Sequence, residues 1–339
     1  MTSSPPLPWL RPPERSPVPL DPRDVRIADL LQTDPAGAQA GAHVAVIGIP
    51  FDTAVIGRRG AREAPAAIRR ALYRMTAFDL ESGVDLAEGL RLVDLGDVAM
   101  VHTDIHETHR RVTAVLREVT RQGLRSLVLG GDHSLSYATL RGVIEGLGKP
   151  LGVIQFDAHH DLREPLEGEI TSGTPFRRLL EEGLVEGRHL VQIGLLGGRN
   201  SRAYYEVARR HGVHMIPAAH VHREDPEVLT AQVLEVVTAG TLGFFISFDM
   251  DVFEAACAPG VSAPSPGGLL PASALALMRR LAAHSACWGM DLMETAPPLD
   301  PDGRTVAPAA AVAWAFLIGR GMVGVKSESG IDTGPPAVP

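Results

Sequence analysis

Five aspartates and three histidines fall in three short stretches, GGDHS at 130–134, DAHHD at 157–161 and SFDMD at 247–251. In LGVIQFDAHHDLR, residues 151–163, an apolar run of strand length breaks abruptly into acid, imidazole and acid. If strand geometry persists through its end, side chains two apart point the same way, so Asp157, His159 and Asp161 share one face. Asp249 and Asp251 are spaced alike. Such ligands repel one another and are costly to desolvate unless a cation sits between them. Together with His133, they make six donors that suit a pair of divalent cations. Carboxylate-rich ligation without thiolate points to two Mn²⁺ ions ahead of Zn²⁺, with Fe²⁺ or Co²⁺ also compatible. Two such ions lower the pKa of a bridging water and create a nucleophile at neutral pH. His160 alternates away from that face and reads as structural.

These residues need a frame that brings three stretches to one place. Apolar runs at 43–50, 91–98, 126–131, 151–156, 189–195, 213–216, 243–248 and 287–292 read as strands. Helical patterns at 65–75, 104–121, 135–147, 174–182, 201–210, 226–238, 271–283 and 306–318 alternate with them. About eight such alternations predict a parallel α/β sheet with helices on both faces. In a sheet of that kind, ligand sites collect beyond the carboxyl ends of the strands, where all three stretches lie. Composition does not shift along residues 25–325, which we read as one domain. Proline crowds residues 1–24, an extended arm, and residues 326–339 read as a loose tail.

Composition narrows the class. The chain has 339 residues, of which 45% are hydrophobic, enough for a sizeable aliphatic core. A formal charge of -8 without a compensating basic block argues against a nucleic-acid partner. The two cysteines, Cys257 and Cys287, form no CxxC pair and suggest a reducing cytoplasm. No secretory signal pattern opens the chain, and the longest apolar segment, about 306–318, is interrupted by Pro308 and shorter than the roughly 20 residues that span a bilayer. A soluble, cytoplasmic protein with no membrane partner is the expectation.

GGDHS, DAHHD and SFDMD, in this order, resemble the three signatures of the ureohydrolase family, the arginases, agmatinases and formimidoylglutamases. The similarity runs from about His43 to about Ile318. It implies a three-layer arginase-like α/β fold with a mainly parallel, roughly eight-stranded sheet between helices. By the same resemblance one metal takes His133, Asp157, Asp161 and Asp249, and the other Asp157, His159, Asp249 and Asp251, with Asp157 and Asp249 bridging. DAHHDLR, SGTPFRRLLEEG, SFDMDVFEAACAPG and RMTAFDLESGVDL are most similar to the bacterial formimidoylglutamases. That implies hydrolysis of N-formimidoyl-L-glutamate to glutamate and formamide, with a bridging hydroxide attacking the amidine carbon and Asp161 carrying a proton.

Agmatinases and arginases usually place a histidine in the loop after DAHHD, whereas this chain has Ser172 there, which counts against a guanidine-cleaving enzyme. The family's late acid, which binds the cationic carbon-nitrogen group, corresponds to Glu294, followed by Thr295-Ala296 in place of the usual Asn-Pro. A substrate with two carboxylates needs cationic forks, for which Arg163 is the first candidate and Arg177 and Arg199 weaker ones. Thr174 could donate to a carboxylate or cap its own loop. Two other functions stay open: an agmatinase or guanidinobutyrase-like enzyme releasing urea, and a metal-binding, non-catalytic scaffold. The expected partner is a small amidine, and a homo-oligomer is expected.

Overall fold

Ten strands form one sheet in the computed structural model, which describes residues 10–11, 21, 23–32 and 43–329. They are β1 (Leu10–Arg11), β2 (Leu31–Gln32), β3 (Val44–Gly48), β4 (Leu92–Val98), β5 (Arg125–Leu129), β6 (Gly152–Phe156), β7 (Leu190–Leu195), β8 (His214–Pro217), β9 (Phe244–Asp249) and β10 (Cys287–Met293). The order across the sheet is β1-β4-β3-β5-β10-β9-β6-β7-β8, with β2 also on β4. The eight long strands are parallel, as the alternation predicts. The two short strands were not foreseen, because two residues carry no periodicity. β1 pairs antiparallel with the edge strand, Leu10 opposite Val98, and lies within the arm. Most other residues of that arm lie outside the described residues.

The helices are α1 (Ala64–Leu72), α2 (Ile105–Arg121), α3 (Leu135–Leu147), α4 (Pro175–Glu181), α5 (Arg202–His211), α6 (Ala218–Val221), α7 (Pro226–Thr238), α8 (Pro271–Ala282) and α9 (Val306–Ser329). Proline opens α4, α7 and α8, where its missing N–H would have had no partner. Asp104, Ser201 and Asp225 cap α2, α5 and α7 by accepting from backbone N–H groups of the first turn.

Strand alternation then divides the interior in two. Val44 and Val46 of β3, Leu127 and Leu129 of β5, and Ile154 and Phe156 of β6 join one core with α1 and α6–α9. Ala45 and Ile47, Val128, and Val153 join the other, with α2–α5. Each strand is therefore apolar on both faces, which is why its sequence reads as a continuous run.

α9 departs from expectation. It runs on to Ser329, past 318 and into the segment set off as a tail from 326, the rest of which lies outside the described residues. Pro308 does not interrupt it, because the residue sits in the first turn, where no intrahelical donor is lost. Its window Val306–Val323 is long and apolar enough to cross a membrane by length and composition, and 61% of that window is buried within the protein.

Candidate metal centre

The strand order explains how the three stretches meet. β5, β10, β9 and β6 are adjacent in the sheet although far apart in sequence. His133 follows β5, Glu294 follows β10, Asp249 ends β9 with Asp251 just beyond it, and Asp157 follows β6. Four neighbouring carboxyl ends thus supply all six metal-ligand candidates and Glu294.

Atoms from His133, Asp157, Asp161 and Asp249 gather within 4.8 Å of one another, and so do atoms from Asp157, His159 and Asp251. His133 Nδ1 lies 2.9 Å from Asp161 Oδ2, 2.9 Å from Asp249 Oδ2 and 3.2 Å from Asp157 Oδ2. His159 Nδ1 lies 3.0 Å from Asp251 Oδ2. Asp157 belongs to both groups. Asp249 turns its Oδ2 toward His133, and its Oδ1 accepts the N–H of Asp251, a residue of the second group, at 2.7 Å.

The geometric premise of a continuing strand is also corrected. β6 stops at Phe156, the chain turns through 157–160, and Asp161 has φ of 50°, in the left-handed region. The acids and imidazole of DAHHD converge because a turn folds them inward, not because they share a pleat. Asn200 holds that turn: its Oδ1 accepts the His160 N–H at 2.8 Å and its amide donates to Ala158 O at 2.9 Å. His160 is buried and its Nδ1 meets Gln192 Oε1 at 2.7 Å, away from the cluster.

One atom tests whether cations fit. His133 Nε2 sits 3.1 Å from Ser247 Oγ, which passes its own hydrogen to Ser136 Oγ at 3.1 Å. Nε2 is then the donor and Nδ1 carries a lone pair. This Nδ1 is buried without a hydrogen bond, although three carboxylate oxygens surround it. Acceptors around an acceptor call for a cation, and the donor set fits one.

Without a cation, the same crowding would be relieved by protons instead. Burial, with Asp157 beside it, pushes Asp161 up to about 6, and burial with Asp251 and Asp157 raises Asp249 well above the carboxylate range. Burial disfavours charge on both histidines, yet the carboxylates outweigh it, raising His133 and taking His159 up to about 12. The cluster holds protons where divalent ions would displace them.

Beneath the ligands runs a polar row that the sequence reading missed. Gln192, Gln155, Ser247 and Asp291 occupy one register across β7, β6, β9 and β10. Gln155 donates to Asp157 Oδ2 at 2.7 Å and Gln192 to Gln155 Oε1 at 2.6 Å. The signal was there: each is the polar residue in an otherwise apolar strand, pointing to the α2–α5 side. The two glycines of GGDHS have a packing role as well, since a Cβ on Gly131 would fall 1.7 Å from Phe51 O.

A pocket of about 130 Å³ opens above the cluster, lined by His133, His159, Asp161, Asp249 and Asp251 together with Glu294, Arg163 and Ser172. Glu294 is 1% exposed, so a surface position is excluded. Its Oε1 accepts the His133 N–H at 2.8 Å, while Oε2 is buried with no partner. Burial, reinforced by Asp132, pushes its carboxyl up to about 8. Arg163 is exposed at the rim with its guanidinium 5.6 Å from the Tyr204 ring. Its stem crosses Gly173, where a Cβ would come within 2.5 Å of Arg163 Cδ. Three other candidates are engaged elsewhere. Thr174 Oγ1 donates to Thr171 O at 2.9 Å and so caps its own loop. Arg199 donates to Pro264 O at 3.0 Å, and Arg177 pairs with Glu181.

A three-layer parallel sheet whose carboxyl edge gathers four carboxylates and two imidazoles under a small pocket defines a dinuclear metal hydrolase. The chain belongs to the arginase family, whose profile matches residues 42–319. It is similar to the formimidoylglutamase of Halalkalibacterium halodurans, 37% identical over 277 residues that span 81% of this chain and 86% of that protein. The crystal structure of formimidoylglutamase from Bacillus subtilis superposes with a TM-score of 0.84 at 34% identity, covering 93% of this chain and 97% of that one. That of Trypanosoma cruzi formiminoglutamase with Mn²⁺ gives 0.81 at 28% identity, covering 88% and 99%. The expected fold is borne out, and so is the hydrolase class.

Proposed function

We propose that this enzyme hydrolyses N-formimidoyl-L-glutamate to L-glutamate and formamide. The observation that carries the substrate is the pairing of opposite charges across one pocket. Glu294 Oε2 is buried and unbonded at its base, and Arg163, at its rim, pairs with no carboxylate among the described residues. An amidinium at one end and a carboxylate at the other match that polarity. The formimidoylglutamases among the relatives support the same reading.

His133, Asp157, Asp161 and Asp249 would hold one cation, and Asp157, His159 and Asp251 the other, with Mn²⁺ favoured by the oxygen-rich set. When bound, the ions lower the pKa of water and act as Lewis acids toward the amidine. Glu294 orients the amidinium, and the cationic substrate favours the ionised carboxyl. Arg163 holds the glutamate end. Asp161, at the turn between pocket and cluster, carries the proton to the departing nitrogen. An Asp161→Asn chain that kept both metals and full turnover would remove that role. We further infer a cytoplasmic enzyme working as a homo-oligomer, with residues 25–325 as its domain.

The test is a substrate panel in Mn²⁺, comparing formimidoylglutamate with agmatine, arginine and 4-guanidinobutyrate. Formamide and glutamate should appear from the first alone. Urea from any of the others, with formimidoylglutamate untouched, would favour the agmatinase-like alternative. In the same assay Arg163→Ala should raise KM by roughly ten- to a hundredfold, the worth of a charged hydrogen bond of about 1.5–3 kcal/mol.

A further inference from the structure

A second cavity, of about 380 Å³, lies where α2 and α3 meet α4, and no residue lines both it and the metal pocket. Arg110, Arg117, Arg141 and Arg178 line it, and among its lining residues Glu145 is the one acid. In a chain of net charge -8, that concentration of guanidinium groups is unusual. Nearby acids neutralise it only in part, Glu182 standing 3.6 Å from Arg141. Glu145 is shared between Arg117, at 3.2 Å, and Arg141, at 2.8 Å. Glu107 is shared between Arg110 and Arg111, at 2.6 and 2.8 Å.

Two of the residues that line it carry a buried polar atom without a partner. The Arg178 guanidinium stacks 3.5 Å from the Tyr137 ring centroid, and its Nη1 is buried without a hydrogen bond. Its nearest acid, Glu182, stands at 4.0 Å. His109, only 6% exposed, has an unbonded, buried Nδ1. The other ring nitrogen of His109 is 3.4 Å from Ser134 Oγ, and that hydroxyl gives its hydrogen to Asp132 Oδ1 at 2.5 Å. Nε2 is therefore the donor, and Nδ1 is left as an acceptor. The residues around the cavity thus carry an excess of cationic donors and one buried acceptor, a combination that suits an anion still carrying a hydrogen. Hydrogenphosphate and singly protonated phosphomonoesters have that chemistry; sulfate at neutral pH does not.

We propose that this cavity binds a phosphate group through Arg178, Arg117 and His109. The site is independent of the substrate assigned above.

Calorimetric titration of the intact protein at neutral pH, with chloride added to constant ionic strength, tests it. The probes are inorganic phosphate, glycerol 2-phosphate and sulfate. Saturable phosphate binding stronger than sulfate is expected, and equal binding of glycerol 2-phosphate would identify an esterified phosphate as an acceptable source. Arg117→Glu should weaken phosphate at least about tenfold, as loss of a charged contact does. Arg178→Gln is the second reporter should the first variant fold poorly. Asp249→Asn, which disables the metal cluster, should leave phosphate binding intact. No saturable binding, sulfate bound as well as phosphate, wild-type affinity in both arginine variants, or loss of binding in Asp249→Asn would each overturn the proposal.

Discussion

Two of the places where buried charge gathers among the described residues are built on opposite rules. On the α1 side of the sheet, Arg69 is 2% exposed and grips Asp94 with two bonds of 2.9 and 3.0 Å. The same guanidinium reaches Asp97 at 2.5 Å and Gly96 O at 2.9 Å, and Tyr73 adds its hydroxyl to Asp94. Donors and acceptors there match one another. At the carboxyl edge, by contrast, four acids share a space with two imidazoles, and His133 Nδ1 and Glu294 Oε2 are left without partners. A buried pair that satisfies itself holds the fold, whereas a buried group left open marks where something else must bind.

Three substitutions separate the two rules. The largest effect is expected from Asp249→Asn, which should abolish turnover and lose bound metal, read by elemental analysis of purified protein. Its melting point in a chelator should stay level or rise, because one of four repelling carboxyls has gone. A steep fall in stability would mean that the cluster, too, holds the fold. Next, Arg69→Leu should cost about 3–5 kcal/mol in a denaturant titration, since it strands two acids, while metal content per folded molecule stays the same. Metal loss in that variant would erase the contrast. The smallest effect belongs to Ser247→Ala, which removes the acceptor that fixes the His133 ring. Metal affinity should weaken by roughly 10- to 100-fold, with chelated-state stability little changed. Unaltered affinity would show that Ser247 does not orient the ligand.

Much of this was legible in the sequence, for physical reasons that also mark its limits. Eight strands could be read because parallel strands buried on both faces are continuous apolar runs, whereas Leu10–Arg11 and Leu31–Gln32 are too short to show any pattern. The ligands could be read because acids and imidazoles at strand ends are expensive unless used. The reason first given for their convergence was wrong at Asp161, whose left-handed backbone no alternation rule anticipates. Gln155, Gln192, Ser247 and Asp291 escaped notice singly. Only the strand order, which cannot be deduced from spacing, puts them in one row. Thr174 was ambiguous in sequence, and its hydroxyl is committed to Thr171.

The apolar C-terminal helix has a consequence for how the protein is made. α9 packs against α1 and α8, so a surface laid down early in synthesis is covered only by the last described helix. At about 5–20 residues per second, α1 waits many seconds for its cover. A nascent or truncated chain would meanwhile present the bared flank of α1, and later a helix apolar enough to tempt an insertion machinery or a holding chaperone. Ribosome-stalled chains of increasing length should bind such a chaperone until α9 clears the exit tunnel, and then let go.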